Sequence, residues 1–404
     1  MKYAVIVPDG MADEPLVELG GRTPLEVADT PNMDALAQAG RVGQVRLIPE
    51  GLDPGSDVAN MSLMGYDPQK HYTGRAPIEA AAMGITLGPE DVAFRCNLVT
   101  VVDGQMADYS AGHISTKEAT ILIDQLHEKL GSDEISFHPG VSYRHLMVIR
   151  GAGQMDIKTT PPHDILGRSV KPYLPRGADS ERVRDLMVRS EALLADHEVN
   201  VVRRDLGENP ATGIWLWGQG RALRLESFRD RFGLSGALIS AVDLLKGLAV
   251  SIGLDVVLVP GATGYFDTDY AAKGRYACQA LKKYDFVLVH VEAPDEAGHE
   301  GEINKKIAAI ERVDADIVGP VWQTLREQGD YRIMVLPDHA TPIRLRTHVG
   351  VPVPFAICGR DIESLVKNPL TEKAGDAADL KIAVGHELMP HFLGIQKGLQ
   401  HERA

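Results

Sequence analysis

Four short apolar runs along this chain end in the same way. Tyr3 to Val7 stops at Pro8-Asp9-Gly10, Val256 to Val259 stops at Pro260-Gly261, Phe286 to Val291 stops at Glu292, and Ile333 to Leu336 stops at Pro337-Asp338-His339. A run of this length with little polar alternation suits a strand covered on both faces. Between the runs lie helical patterns: Pro31 to Ala39 after Thr30 as a candidate cap, Ala237 to Leu248, and Lys305 to Leu325. Strand and helix alternation predicts an α/β fold, a three-layer domain with a mostly parallel central sheet and helices on both faces. In such sheets ligands collect beyond the carboxyl ends of the strands. Asp9, the segment Glu292 to His299, and Asp338-His339 all fall at strand exits.

The middle of the chain has a different texture. Asp91 to Val102, Tyr143 to Ile149 and Glu198 to Arg203 read as strands, separated by turn-rich pieces such as Thr159-Thr160-Pro161-Pro162 and Pro172 to Ala178. The expectation is a smaller α/β (α+β) domain over residues 91–245, inserted into a discontinuous domain made of 1–90 and 246–404. A chain of 404 residues with 44% hydrophobic content is long enough for two cores. No repeat or low-complexity tract interrupts it.

Composition narrows the function classes. The formal net charge of -14 repels nucleic acid and anionic lipid, and no basic run with interleaved aromatics offsets it. No apolar run reaches transmembrane length, and the first is too short for a signal peptide, so neither nucleic acid nor a membrane is expected as a partner and a cytoplasmic location is. The three cysteines, Cys96, Cys278 and Cys358, are too few and too scattered for a disulfide framework or a cysteine metal cluster. An anionic metabolite is still compatible with an acidic chain, because bound cations and a few arginines can reverse the field inside one cleft.

The candidate chemistry lies at the strand exits. Asp295 and His299 are four apart, so one helical turn aims both side chains at one point. Asp338-His339 leave another strand, and His348 follows beyond a loop that carries Arg344 and Arg346. Carboxylates and imidazoles without cysteine suit zinc, manganese or a similar divalent ion, and with Asp9 the inventory serves about two ions. Taken singly, each of these residues also has a structural reading as a helix cap or a solvated loop residue. Ser56 follows a Pro54-Gly55 turn into a helical pattern. Serine there is a good cap, but it is also a candidate nucleophile. Helix N-termini receive phosphate, and a hydroxyl on a divalent ion can ionise near neutral pH.

In that order, Asp9, Gly55-Ser56, Asp295 with His299, Asp338 with His339, and His348 resemble the metal and nucleophile set of the alkaline phosphatase superfamily. The segments PDGMAD, GSDVANMSLMGYDP, GRAPIEAAAMGI, DYSAGHIS, SYRHL, PPHD, GATGYFDTDYAAKG and LPDHATP resemble the shorter, archaeal-type cofactor-independent phosphoglycerate mutases across nearly the whole chain. The resemblance implies an alkaline-phosphatase-like fold and a metal-dependent isomerase that interconverts 3-phosphoglycerate and 2-phosphoglycerate through a phosphoserine, without 2,3-bisphosphoglycerate. It implies two divalent ions, manganese or zinc, with magnesium a third option. Asp295, His299 and His348 would hold one, and Asp9, Ser56, Asp338 and His339 the other. By the same likeness Asp108, His113, Arg144 and Lys273 would face the substrate, with Arg75, His145 and His163 weaker choices. A cap domain that closes over the site would keep water from the phosphoserine. The metal set alone does not separate a mutase from a phosphatase, a phosphopentomutase or a homoserine-kinase-like enzyme. A metal-stabilised binding protein without turnover is the non-enzymatic alternative, and a homo-oligomer is compatible with the sequence.

Overall fold

The computed structural model describes residues 1–365 and 367–395. In chain order its strands are β1 (Lys2–Pro8), β2 (Arg41–Val45), β3 (Val92–Val102), β4 (Gln105–Asp108), β5 (Ile135–Val141), β6 (Arg144–Ile149), β7 (Gly213–Arg221), β8 (Gly236–Ile239), β9 (Asp255–Val256), β10 (Phe286–Val291), β11 (Tyr331–Val335), β12 (Val353–Gly359) and β13 (Lys381–Ile382). They belong to two compact units. The first takes Met1–Tyr72 and the described residues from Leu225 onward, and the second is Thr73–Arg224.

The first unit is built on an eight-stranded sheet in the order β13-β2-β12-β11-β1-β10-β8-β9. The run β11-β1-β10-β8-β9 is parallel throughout, and only β12 lies antiparallel to its two neighbours. The sequence pattern gives the reason. Ala4, Ile6, Val287, Val289, Ile333 and Val335 are fully buried on one face, against Leu36 of the Pro31–Ala39 helix, Leu281 of Tyr270–Lys283, and Ile310 of Ile303–Val313. On the other face Tyr3 stands edge-on against Phe392, and Phe286 packs with its ring tilted 35° to that of Phe228. Each such side chain taken fully out of water contributes about 1.5 to 3 kcal/mol, which is why the strands read as continuous apolar runs. Register brings the carboxyl ends together: Pro8 pairs with Val291, and the Asp9 amide donates to the Val291 carbonyl at 3.0 Å.

The second unit has an antiparallel sheet, β4-β3-β6-β5, with β7 also paired to β3. The helices Thr116–Leu130 and Ser180–Leu194 bury Leu122, Leu126, Val183 and Leu186 in the same core as Phe94, Cys96 and Met147 of that sheet. The first of these helices starts at a capping box, Ser115 with Glu118.

Several expected elements differ. Glu198 to Arg203 is not a strand but part of the helix Glu198–Asp205. Its inward residues are polar, Asn200 bonding the Leu194 and Ala211 carbonyls and Arg203 pairing with Glu118, while Val201 and Val202 are exposed. That reverses the usual apolar pattern. The segment expected to be a helix from Ala237 begins as strand β8, paired in parallel with β10, and the helix is Asp243–Ser251. The run Val256 to Val259 keeps only Asp255–Val256 as strand. Thr30 makes no side-chain capping bond. The unit boundaries fall at 73 and 224 rather than 91 and 245. The helix Ala76–Ala82 packs on β3 and β7, and β8 belongs to the large sheet.

Candidate active site

The parallel strands deliver their loops to one edge of the large sheet. Asp9 follows β1, the helix Ala293–Glu300 follows β10, and Asp338-His339 follow β11. Gly10 has φ +61, and a Cβ built there would lie 2.6 Å from both Asp295 Oδ1 and Thr341 Oγ1, so this turn requires glycine. Ser56 is the first residue of the helix Ser56–Leu63, one position past the N-cap, Gly55. Asn60, one turn on, donates through Nδ2 to the Ser56 carbonyl at 2.9 Å and to Asp338 Oδ2 at 2.7 Å, tying this helix start to the β11 exit.

Two sets of donor atoms result, each within 4.8 Å of one another: Asp295 with His299 and His348, and Asp9 with Asp338 and His339. In the first, His299 Nε2 stands 3.2 Å from Asp295 Oδ2 and His348 Nε2 stands 3.4 Å from Oδ1, with the two imidazole nitrogens 2.8 Å apart. His299 Nδ1 donates to the Arg346 carbonyl at 3.0 Å, which turns Nε2 inward. In the second, His339 Nε2 lies 3.2 Å from Asp9 Oδ1 and 3.1 Å from Ser56 Oγ. The sets adjoin, since the His339 and His348 ring centroids are 4.2 Å apart. Thr341 links them as well, its hydroxyl reaching Asp295 Oδ1 and, at 3.2 Å, His339 Nδ1.

Burial holds the Asp9 carboxyl well above the ordinary range, and the Asp338 carboxylate beside it adds to the rise. Burial would raise Asp338 too, but His339 and His290 outweigh it and keep that group ionised. Asp295 is held well below its usual value, its burial outweighed by hydrogen bonds from His299 and His348. His299 rises to about 9, chiefly through its bond to Asp295. Asp9 Oδ1 is buried and accepts no hydrogen bond despite His339 at 3.2 Å. Two imidazole nitrogens at 2.8 Å and an orphaned carboxylate oxygen are what divalent cations in the two sets would resolve, and Asp and His are fitting ligands.

A family model described as 2,3-bisphosphoglycerate-independent phosphoglycerate mutase matches residues 37–200. The chain is 54% identical over 365 residues to 2,3-bisphosphoglycerate-independent phosphoglycerate mutase 2 of Methanothermobacter thermautotrophicus, covering 90% of both proteins. The chain belongs to the 2,3-bisphosphoglycerate-independent phosphoglycerate mutase family. A probable family member from Geobacter sulfurreducens is 50% identical over 97% of this chain and 100% of its own length. Among solved structures, a protein from Pyrococcus horikoshii superimposes with a TM-score of 0.83 at 31% identity, over 98% of this chain and 97% of its own. The cofactor-independent phosphoglycerate mutase of Thermoplasma acidophilum gives 0.68 at 28% identity, over 98% and 100%.

Lys273 is placed differently from the expectation for this family. It is 0% exposed, and its Nζ donates to Glu292 Oε2 at 2.9 Å and to the His290 carbonyl at 3.1 Å, so its charge is engaged inside the fold. The remaining candidates lie in the second unit. Asp108 accepts from the Ser110 amide and hydroxyl, the Gly112 amide and Asn209 Nδ2, bonds that overcome burial and lower its pKa. It thereby holds Ala111, Gly112 and His113 at φ of 49, 67 and 49, three successive left-handed residues. The His113 ring stands edge-on to Tyr143 with centroids 6.3 Å apart, and the Arg144 guanidinium lies 5.5 Å from the same ring. Arg75 Nε bonds Glu79 at 3.2 Å, and Glu79 also holds the buried Arg95, which stacks 4.2 Å from the Trp217 ring. His145 is buried, its Nδ1 accepting from the Gly140 amide, and His163 stands edge-on to Trp217.

Sequence reasoning passed over Asn60, Thr341, His290 and Glu292. Asn60 carried a signal, a polar residue one helical turn after Ser56. His290 and Glu292 carried one too, a titratable residue inside an apolar strand and another just past its end.

Proposed function

We propose that this chain interconverts 3-phosphoglycerate and 2-phosphoglycerate without 2,3-bisphosphoglycerate, with Ser56 as the phosphoryl acceptor. The observation that carries the reading is the position of the Ser56 hydroxyl, 3.1 Å from His339 where two adjoining Asp/His donor sets meet. Asp295, His299 and His348 would hold one divalent cation, and Asp9, Asp338 and His339 with Ser56 the other, manganese or zinc by the character of the donors. Bound there, the cations would screen phosphate charge and favour the Ser56 alkoxide.

Ser56 Oγ attacks phosphorus in line, forming an O–P bond as the bond to the glycerate 3-oxygen breaks, and the proton that Ser56 gives up ends on that departing oxygen. Glycerate then turns, and its 2-hydroxyl attacks the phosphoserine, returning a proton to Ser56. Starting at a helix N-terminus, with its carbonyl fixed by Asn60, Ser56 has little freedom to lose on attack. In the second unit, His113 and Arg144, which share the Tyr143 ring, are the proposed glycerate contacts, while Asp108 organises the strained turn. Lys273 is set aside from that role because its ammonium is consumed by Glu292.

A coupled assay for 2-phosphoglycerate formed from 3-phosphoglycerate, with manganese and without 2,3-bisphosphoglycerate, tests substrate, reaction and cofactor independence together. No turnover there, with turnover of a pentose phosphate or of homoserine with nucleoside triphosphate instead, would move the chain to another phosphoryl transfer.

A further inference from the structure

We infer that His290 is a positioning residue that holds the Asp9 and Asp338 carboxylates in ligating orientation and so sets the affinity of the second cation site. The inference rests on the two-cation reading above. His290 is fully buried on β10, on the strand face that carries Phe286 and Leu288. Its Nδ1 meets Glu292 Oε1 at 3.3 Å, while Nε2 lies 3.5 Å from Asp9 Oδ2 and 3.6 Å from Asp338 Oδ2 without a hydrogen bond of its own. Asp9 is thus approached from two sides, by His339 at Oδ1 and by His290 at Oδ2.

His290 does not belong to the donor set itself. The donor set is Asp9, Asp338 and His339. His290 meets Asp9 at Oδ2, the oxygen other than the one that faces His339, where an outer group fixes the direction of a ligating carboxylate. The ring is itself pinned. Glu292, which grips Nδ1, accepts also from Ser240 Oγ at 2.8 Å, the Ala241 and Val242 amides, and Lys273 Nζ; Lys273 in turn bonds the His290 carbonyl. A hydrocarbon in place of His290 would leave Asp9 Oδ2 against an apolar wall, while Asp338 would keep its bond from Asn60.

The test is a manganese-binding isotherm on the full chain, reading free Mn2+ by electron paramagnetic resonance, for wild type, His290→Asn and His290→Gln. Asparagine places a donor near the Nδ1 position and none at Nε2, and glutamine does the reverse. Wild type should bind two ions. His290→Asn should weaken one binding step by roughly 10- to 100-fold and leave the other unchanged, and His290→Gln should recover most of that loss. Equal shifts of both steps, no shift in the Asn variant, or a Gln variant as weak as Asn would overturn the inference. Should His290→Asn fail to fold, Glu292→Gln, which loosens the grip on Nδ1, must show the same one-step loss. Fewer than two ions in wild type is a separate result that removes the two-cation reading itself.

Discussion

Replacing Lys273 by methionine decides between two roles for that residue. The family resemblance implies a substrate contact, whereas the fold buries the Lys273 and Glu292 side chains at 0% and 4% exposure with Nζ and Oε2 2.9 Å apart. Breaking such a pair costs about 3 to 5 kcal/mol, because the remaining charge is stranded in the interior. Glu292 would keep the Ser240 hydroxyl, two backbone amides and His290 as donors, so the lower end, about 3 kcal/mol, is expected. Hydrogen–deuterium exchange read by mass spectrometry is the assay. Local opening around β10 should become easier by that amount, which is roughly a hundredfold faster exchange in peptides covering Phe286–Val291. Peptides from the second unit should not change. Adding Glu292→Gln removes the stranded charge and should restore much of the protection. Exchange unchanged within about twofold, the scatter of an inconsequential substitution, together with a raised KM for 3-phosphoglycerate, would refute the reasoning and return Lys273 to the substrate.

Ser56→Ala should lower mutase turnover by at least about 10³-fold, as loss of a covalent nucleophile does, while metal content by atomic emission stays close to wild type. Exhaustive chelation should abolish turnover and lower the thermal midpoint, with both restored by manganese or zinc, because a cation that binds only the folded chain stabilises it by about 2.7 kcal/mol at a hundred times its Kd. Acid should destabilise the second unit through His145, whose burial lowers its pKa from 6.5 to about 3. Between those values the unfolded chain binds a proton that the folded chain excludes. The contribution is therefore complete above 6.5 and lost as pH falls toward about 3, at up to about 1.4 kcal/mol per pH unit. His145→Gln should flatten the pH dependence of the urea midpoint in that window, and an unchanged slope would show that His145 does not supply it.

Apolar runs that end in Pro-Asp or in Glu located the parallel strands β1, β10 and β11 and the edge to which they bring their loops. A strand buried on both faces has to be apolar along its length, so its first polar residue marks the exit. The i, i+4 pair Asp295 and His299 was legible for a similar reason, since the helix Ala293–Glu300 carries Pro294 in its first turn, one residue past the strand exit at Glu292. What stayed hidden depends on partners far away in sequence. Strand β12 contains Pro354, and its pairing with β2 links segments some 300 residues apart, 41–45 and 353–357. The Glu198–Asp205 helix turns Asn200 and Arg203 inward because carbonyls at Leu194, Ala211 and Ala111 need donors, and no local pattern encodes that demand.

His290 shows how the two kinds of information meet. His290, near the end of β10, and Glu292, just past it, are both buried away from water. Leaving them there without partners would cost several kcal/mol, so their presence already requires charge on adjoining segments. Asp9 one strand over, Asp338 beyond it and Lys273 on the covering helix supply that charge. A buried titratable pair at the exit of an apolar run therefore calls for charged partners on segments far away in sequence, as His290 and Glu292 find in Asp9, Asp338 and Lys273.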